Sequence, residues 1–151
     1  MDARYLRTLS ATRLAALIRD RRVSSREVLE AHLEAIERVN PTINAVVAPR
    51  FDAARDEADR ADEAARRGDD LGPLHGVPCT IKESFSLSGM PWSGGLVSRR
   101  EVRATEDATA VKRLRAAGAI PMGVTNVSEL CMWMESTNRV YGRTRNPYDP
   151  S

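Results

Sequence analysis

One stretch constrains the fold of this chain more than any other. Residues Asp107 to Ala117 read as a helix, with Thr105 or Asp107 as its cap, and Gly118 reads as its stop. The apolar run Ala119 to Val124 follows at once and reads as a strand. A helix, a glycine and a strand in that order make an α/β unit. A second short strand is expected at Val77 to Ile81, where Pro78 is tolerated near the start or on an edge.

The first third has a different character. Leu14, Leu17 and Ile18 recur at helical spacing between Ser10 and Asp20. Ser24-Ser25-Arg26-Glu27 is a capping box, and the helix it opens presents Leu29, Leu33 and Ile36 on one face. Asn40-Pro41 is expected to end that helix, because proline cannot continue the hydrogen-bond ladder. Phe51 to Arg67 reads as a third helix, faced by Ala54, Ala58, Ala61 and Ala65 and stopped at Gly68. Residues 1–70 are thus expected to be mainly helical. Residues 71–151 are expected to hold the first strands and helices of an α/β core, with an ordered loop over Ser84 to Ser98.

The 151 residues match about one ordinary domain in length. Of the hydrophobic residues 20 are alanine, which buries little area, so the core available to the chain is thin for its length. The final segment, Tyr141 to Ser151, is a Gly/Arg/Asn/Pro loop on which a packed domain rarely stops. No apolar run approaches the ~18 residues of a membrane span, and no signal-peptide pattern opens the sequence.

Charge excludes one class of partner. Acidic and basic residues alternate from Arg50 to Asp70, which reads as a solvated helix face. The densest basic group, Arg99, Arg100 and Arg103, is interrupted by Glu101, so nucleic acid is not an expected partner. Cys79 and Cys131 lie far apart, and with His32 and His75 they supply no metal-ligand spacing, so no metal is expected. Two free thiols in a reducing cytoplasm is the favoured reading. His32 lies beside an apolar stripe and reads as a structural histidine.

The basic residues comprise 21 Arg and two Lys, Lys82 and Lys112. A chain that writes its cations as arginine would write a surface charge at position 82 the same way. A lysine retained at the end of an apolar strand marks a group needed for its ability to deprotonate, which arginine lacks. The alternative is a lysine whose stem packs on the strand end while its head reaches water. Glu83 is an ion-pair candidate for Lys82, although adjacent strand residues point to opposite faces. Ser84, Ser86, Ser88 and Ser93 are candidate hydroxyls or turn formers. Met90, Trp92, Met132, Trp133 and Met134 would line an apolar pocket or belong to the core.

Several runs in order resemble the amidase signature family. They are Gly76-Val77-Pro78-Cys79-Thr80-Ile81-Lys82-Glu83, Asp107-Ala108-Thr109 and Ala117-Gly118-Ala119-Ile120-Pro121-Met122-Gly123. Thr125-Asn126, Ser128-Glu129-Leu130, Tyr141-Gly142-Arg143-Thr144 and Asn146-Pro147-Tyr148-Asp149 continue the agreement. Gly89-Met90-Pro91 and Cys131-Met132-Trp133-Met134-Glu135-Ser136 resemble the fatty-acid amide hydrolase branch, especially its second type. The glutamyl-tRNA amidotransferase subunit of the same family fits these two segments less well.

The resemblance implies the N-terminal portion of the amidase signature fold, a mixed β-sheet flanked by helices, as part of a single amidase domain. It implies hydrolysis of a C–N amide bond by a Ser–cis-Ser–Lys triad, with no metal or cofactor. The family's lysine maps onto Lys82, and residues at the positions of Cys131, Met132 and Met134 border the acyl group of the substrate. Glu83 stands where aspartate is common elsewhere in the family. The family's Gly-Gly-Ser-Ser-Gly-Gly motif comes shortly after the Asn-Pro-aromatic-Asp segment, whereas this sequence ends at Ser151 before it. The nucleophile and the cis serine are therefore not in the sequence, and Ser151 has no glycine loop around it. These implications lead to an incomplete, inactive piece of an amidase acting on a small-molecule amide in the cytoplasm, and leave a homodimer open. The rival reading is a truncated pseudoenzyme or a non-catalytic interaction module.

Overall fold

The computed structural model describes residues 1–150; Ser151 lies outside the described residues. The chain runs through α1 (Ala3–Leu6), α2 (Ala11–Arg19), α3 (Ser25–Ile43), β1 (Val46–Pro49), α4 (Phe51–Arg67) and β2 (Pro78–Lys82). It continues through α5 (Thr109–Ala116), β3 (Ile120–Thr125), β4 (Thr137–Asn138) and β5 (Gly142–Arg143), with 3-10 turns at Val97–Arg99 and Glu129–Cys131. The class is mixed α/β, and the helix–glycine–strand unit forms where the sequence places it.

Strand β3 lies at the centre of a three-stranded sheet of order β1-β3-β2. It pairs antiparallel with β1, Val46 opposite Thr125 and Pro49 opposite Gly123. On its other side, Ile120 N–H donates to Val77 O (2.8 Å) and Glu83 N–H to Thr125 O (3.0 Å). These bonds follow the same order along both chains, so β2 and β3 are parallel and the sheet is mixed. The first five residues of β3 are all buried, as an apolar run covered on both faces requires.

Contact density divides the chain into two compact units. The first comprises residues 1–35, 50–79 and 113–122. Its core joins Leu14, Leu17 and Ile18 of α2 to Leu6, Val23, Val28, Ala31 and Val77. The start of α3 is unusually well satisfied. Glu27 N–H donates to Ser24 Oγ (2.9 Å) and Ser24 N–H to Glu27 Oε2 (2.8 Å), the reciprocal pair of a capping box. Asp62 of α4 accepts from the N–H groups of Ser25 (2.6 Å) and Arg26 (3.1 Å), so the amides that the helix itself leaves unpaired all find acceptors. On α4, Ala54, Ala58 and Ala65 are buried and Ala61 is half-buried.

Glu57 of α4 holds Arg50 (2.9 Å) and Arg115 (3.0 Å) together. Cys79 lies in their field; burial first, then the Glu57 charge, pushes its thiol up to about 11, against the opposing pull of Arg115 and Arg50. His32 Nδ1 lies 2.8 Å from Val28 O and His75 Nε2 2.9 Å from Ala61 O, so both rings are tied to backbone. Gly118, which ends the α5 segment, has φ +94°, and a Cβ there would stand 2.6 Å from His75 Cα. Only glycine meets both conditions.

The second unit comprises residues 36–49, 80–112 and the chain from Gly123 onward. Here the expected stop at Asn40-Pro41 is corrected: α3 continues through Pro41 to Ile43. Pro41 lacks one N–H donor, and the last turn is closed without it. Asn44, left-handed at φ +57°, donates its N–H to Asn40 O (2.7 Å). Asn40 Oδ1 accepts from Ala45 and Val46 N–H, both at 2.8 Å, and this turn delivers the chain into β1. Strand β1 stands inside the range read as helical, and β4 and β5 add a hairpin that the sequence reading left in loops.

Two outcomes follow for solution measurements. Ser24→Ala strips the acceptor from Glu27 N–H and should lower the unfolding free energy by about 1 kcal/mol, read from denaturant melts. Alkylation at pH 8 should modify the exposed Cys131 rapidly and Cys79 slowly. The Cys79 rate should climb as pH rises toward 11, since only the thiolate reacts.

Candidate active site at the end of strand β2

Strand β2 ends at Lys82, Glu83 follows it directly, and the in–out alternation of Ile81 and Lys82 carries on to Glu83. Lys82 is exposed, and its ammonium makes no hydrogen bond or ion pair among the described residues. Lys112, the other lysine, is bound to Glu106 at 2.7 Å. Glu83 is fully buried. The two do not pair, as the alternation required.

A buried carboxylate is tolerable only when donors replace water. Glu83 Oε1 accepts from Ser93 N–H (2.5 Å), Ser93 Oγ (2.7 Å) and Tyr141 Oη (2.9 Å), and Oε2 accepts from Gly94 N–H (2.8 Å). Ser93 Oγ in turn accepts from Gly95 N–H (3.0 Å). The loop Ser93-Gly94-Gly95 is therefore wrapped around one side chain. Gly94 and Gly95 have φ +64° and +74°, and a Cβ on Gly95 would meet Asn138 Cβ at 3.0 Å. Burial raises the Tyr141 phenol above its ordinary range, and the Glu83 carboxylate adds to the rise. Its Ser93 contact and the Arg103 charge oppose it.

The loop is also joined to the segment that carries the candidate acyl contacts. Gly94 O accepts from Leu130 N–H at 2.8 Å. Leu130 and Cys131 stand left-handed at φ +53° and +59°, a conformation rare for side chains of their kind. Ser128 Oγ closes the turn beyond, donating to Trp133 O (2.9 Å) and accepting from Trp133 N–H (3.3 Å). The segment faces outward: Met132 is 78%, Trp133 70% and Met134 94% exposed. Within the described residues these three side chains are not buried. An open groove of about 620 Å³ is lined by Leu130, Met132, Trp133 and Arg143 among others; Cys131 and Met134 are not in its lining.

A second buried polar centre supports the same unit. Asn126 Nδ2 donates to Ser136 O (3.2 Å), Gly142 O (3.1 Å) and Thr144 Oγ1 (3.0 Å). Its Oδ1 accepts from Val127 N–H (2.9 Å) and Asn138 Nδ2 (2.8 Å). Asn126 thus ties the end of β3 to the β4–β5 hairpin that places Tyr141. Of the candidate hydroxyls, Ser93 Oγ donates to Glu83, while Ser88 Oγ donates to Thr105 O (3.4 Å) and Ser88 N–H donates to Asp107 Oδ1 (2.8 Å). Trp92 donates Nε1–H to Ser84 O (3.4 Å), and the Arg99 guanidinium lies over its ring at 5.0 Å. No group of three or more His, Cys, Asp or Glu able to hold a metal ion occurs among the described residues. No described helix is long and apolar enough to cross a membrane.

Comparison with known proteins gives the family. The profile of the family described as Amidase matches residues 27–151, and the chain belongs to that family. It is 54% identical to fatty-acid amide hydrolase 2-B of Danio rerio, over 95% of this chain and 29% of that protein. It is 49% identical to fatty-acid amide hydrolase 2 of Homo sapiens, over 93% of this chain and 28% of that protein. A solved structure of fatty acid amide hydrolase superposes with a TM-score of 0.91 at 27% identity, over 97% of this chain and 26% of that one. The chain thus spans less than a third of the length of the relatives it matches.

The Asn126 hub yields a direct test. Asn126→Ala leaves Val127 N–H without its acceptor and removes a donor from Ser136 O, Gly142 O and Thr144 Oγ1, and should cost about 2–3 kcal/mol in urea unfolding.

Proposed function

We propose that this chain is the N-terminal part of a single amidase domain that hydrolyses a C–N amide bond, and that Lys82 is its catalytic lysine. The observation that carries the reading is the position of Lys82. It projects unpaired from the end of a parallel strand whose next residue is locked inward, in a chain that belongs to the amidase family.

In this reading the neutral Lys82 amine draws a proton, through a serine held in a cis peptide, from a second serine. The second serine attacks the amide carbonyl, the amine leaves with a proton, and water releases the acyl group. In this reading both serines lie beyond the Asn-Pro-aromatic-Asp segment, outside residues 1–151. Residues 1–151 alone would then be inactive. The substrate is an N-acyl amide whose apolar chain lies along Cys131, Met132 and Met134, in keeping with the names of the fatty-acid amide hydrolase relatives. No metal or cofactor takes part.

The test has two arms. The isolated chain should not be labelled by a fluorophosphonate serine probe; stoichiometric labelling would contradict the assignment of the nucleophile. In the amide hydrolase that contains this chain, Lys82→Ala and Lys82→Arg should each lower kcat on a long-chain primary amide by at least about 10³-fold. Arginine retains the charge and cannot deprotonate, so an active Lys82→Arg enzyme would reject the base role.

A further inference from the structure

One side chain joins the two halves of the candidate site, and it is not the lysine. We infer that Glu83 is a positioning residue: its buried carboxylate sets the 130–134 segment, and with it the acyl-contacting side chains, relative to Lys82. This inference rests on the amidase reading for its link to substrate, and on geometry alone for the clamp itself.

The path is continuous. Glu83 follows Lys82 directly in the chain, so fixing one side chain inward aims the other outward. Its oxygens take both Ser93 donors, the Gly94 N–H and the Tyr141 hydroxyl. Gly94 then passes the constraint on through its carbonyl, which holds Leu130 N–H at 2.8 Å. Leu130 and Cys131 sit in left-handed conformations, which persist only where surrounding structure holds them. The Gly94–Leu130 bond is one such hold, and Ser128 with Trp133 is another.

All four groups facing the carboxylate are donors, so an acceptor-only group is needed there. Glutamine, of equal length, would turn an NH2 against an N–H or O–H. Aspartate keeps the acceptor and is shorter by one methylene. The two variants therefore separate chemistry from side-chain length.

The clamp is read in this chain by two signals. The first is tyrosine titration followed by ultraviolet absorbance. Burial holds the Tyr141 phenol above its ordinary range, and the Glu83 carboxylate adds to the rise. Glu83→Gln is expected to lower the Tyr141 midpoint relative to wild type without abolishing the part that burial causes, whereas Glu83→Asp keeps it near the wild-type position. The second is limited chymotrypsin digestion. Cleavage within 130–134 should accelerate at least tenfold in Glu83→Gln and much less in Glu83→Asp, with sites in 1–35 unchanged. An unshifted Tyr141 and unchanged cleavage in folded Glu83→Gln would overturn the clamp. Acceleration at all sites would assign Glu83 to overall stability and overturn the positioning role.

The link to substrate is read in the amide-hydrolysis assay. Glu83→Gln should raise KM for a long-chain amide at least tenfold, with Glu83→Asp recovering most of it, while Lys82→Ala acts on kcat. An unchanged KM in Glu83→Gln would overturn the link. A fully active Lys82→Ala would instead reject the amidase reading and leave the two clamp signals standing.

Discussion

A carboxylate cannot enter a protein interior without an equivalent of its hydration shell. Glu83 meets this demand with two backbone amides and two hydroxyls drawn from positions 93, 94 and 141. Those donors come from a loop and a hairpin with little apolar area of their own. Their conformation answers the needs of the charge. Removing one partner of such a group leaves the others facing it unpaired, so the cluster is satisfied as a set or not at all. The second unit thus sets two polar centres, Glu83 and Asn126, among buried apolar residues such as Ile81, Leu87, Val124 and Val127, where the first packs Leu14, Leu17, Ile18 and their neighbours.

This difference explains what could be read from sequence. The periodic elements were legible because burial of a helix face writes itself into spacing: α2, α4 and α5 fall within a residue or two of their expected limits. The capping box was legible because its two side chains are local. Strand β1 was not, since four residues carry no period, and Val46–Pro49 becomes a strand only by pairing with β3. Pro41 misled because a single missing donor near a helix end is easily absorbed when Asn40 and Asn44 manage the exit.

The candidate site divides in the same way. Composition singles out Lys82, one of two lysines among 21 arginines, and the structure leaves it exposed at a strand end. The role of Glu83 was not legible, because its donors lie about ten and fifty-eight residues away and leave no local pattern. The available signals were the neighbouring charge on a strand that alternates, and a Ser-Gly-Gly loop with no apolar residue to anchor it. Together these imply that something polar holds the loop. The exposure of Met132, Trp133 and Met134 is not written in the sequence, since spacing does not distinguish a buried methionine from an exposed one.

The exposure of Met132, Trp133 and Met134 bears on why Glu83 must be charged. Within this chain the segment is not buried, so apolar burial here does not fix its conformation. Leu130 and Cys131 are left-handed, a turn unfavourable for residues with a Cβ. Directional bonds have to supply what burial does not. A hydrogen bond to a charged group is roughly twice as strong as a neutral one. An anion at position 83, reaching Leu130 through Gly94, is therefore suited to hold outward an apolar surface that a neutral side chain would hold less firmly.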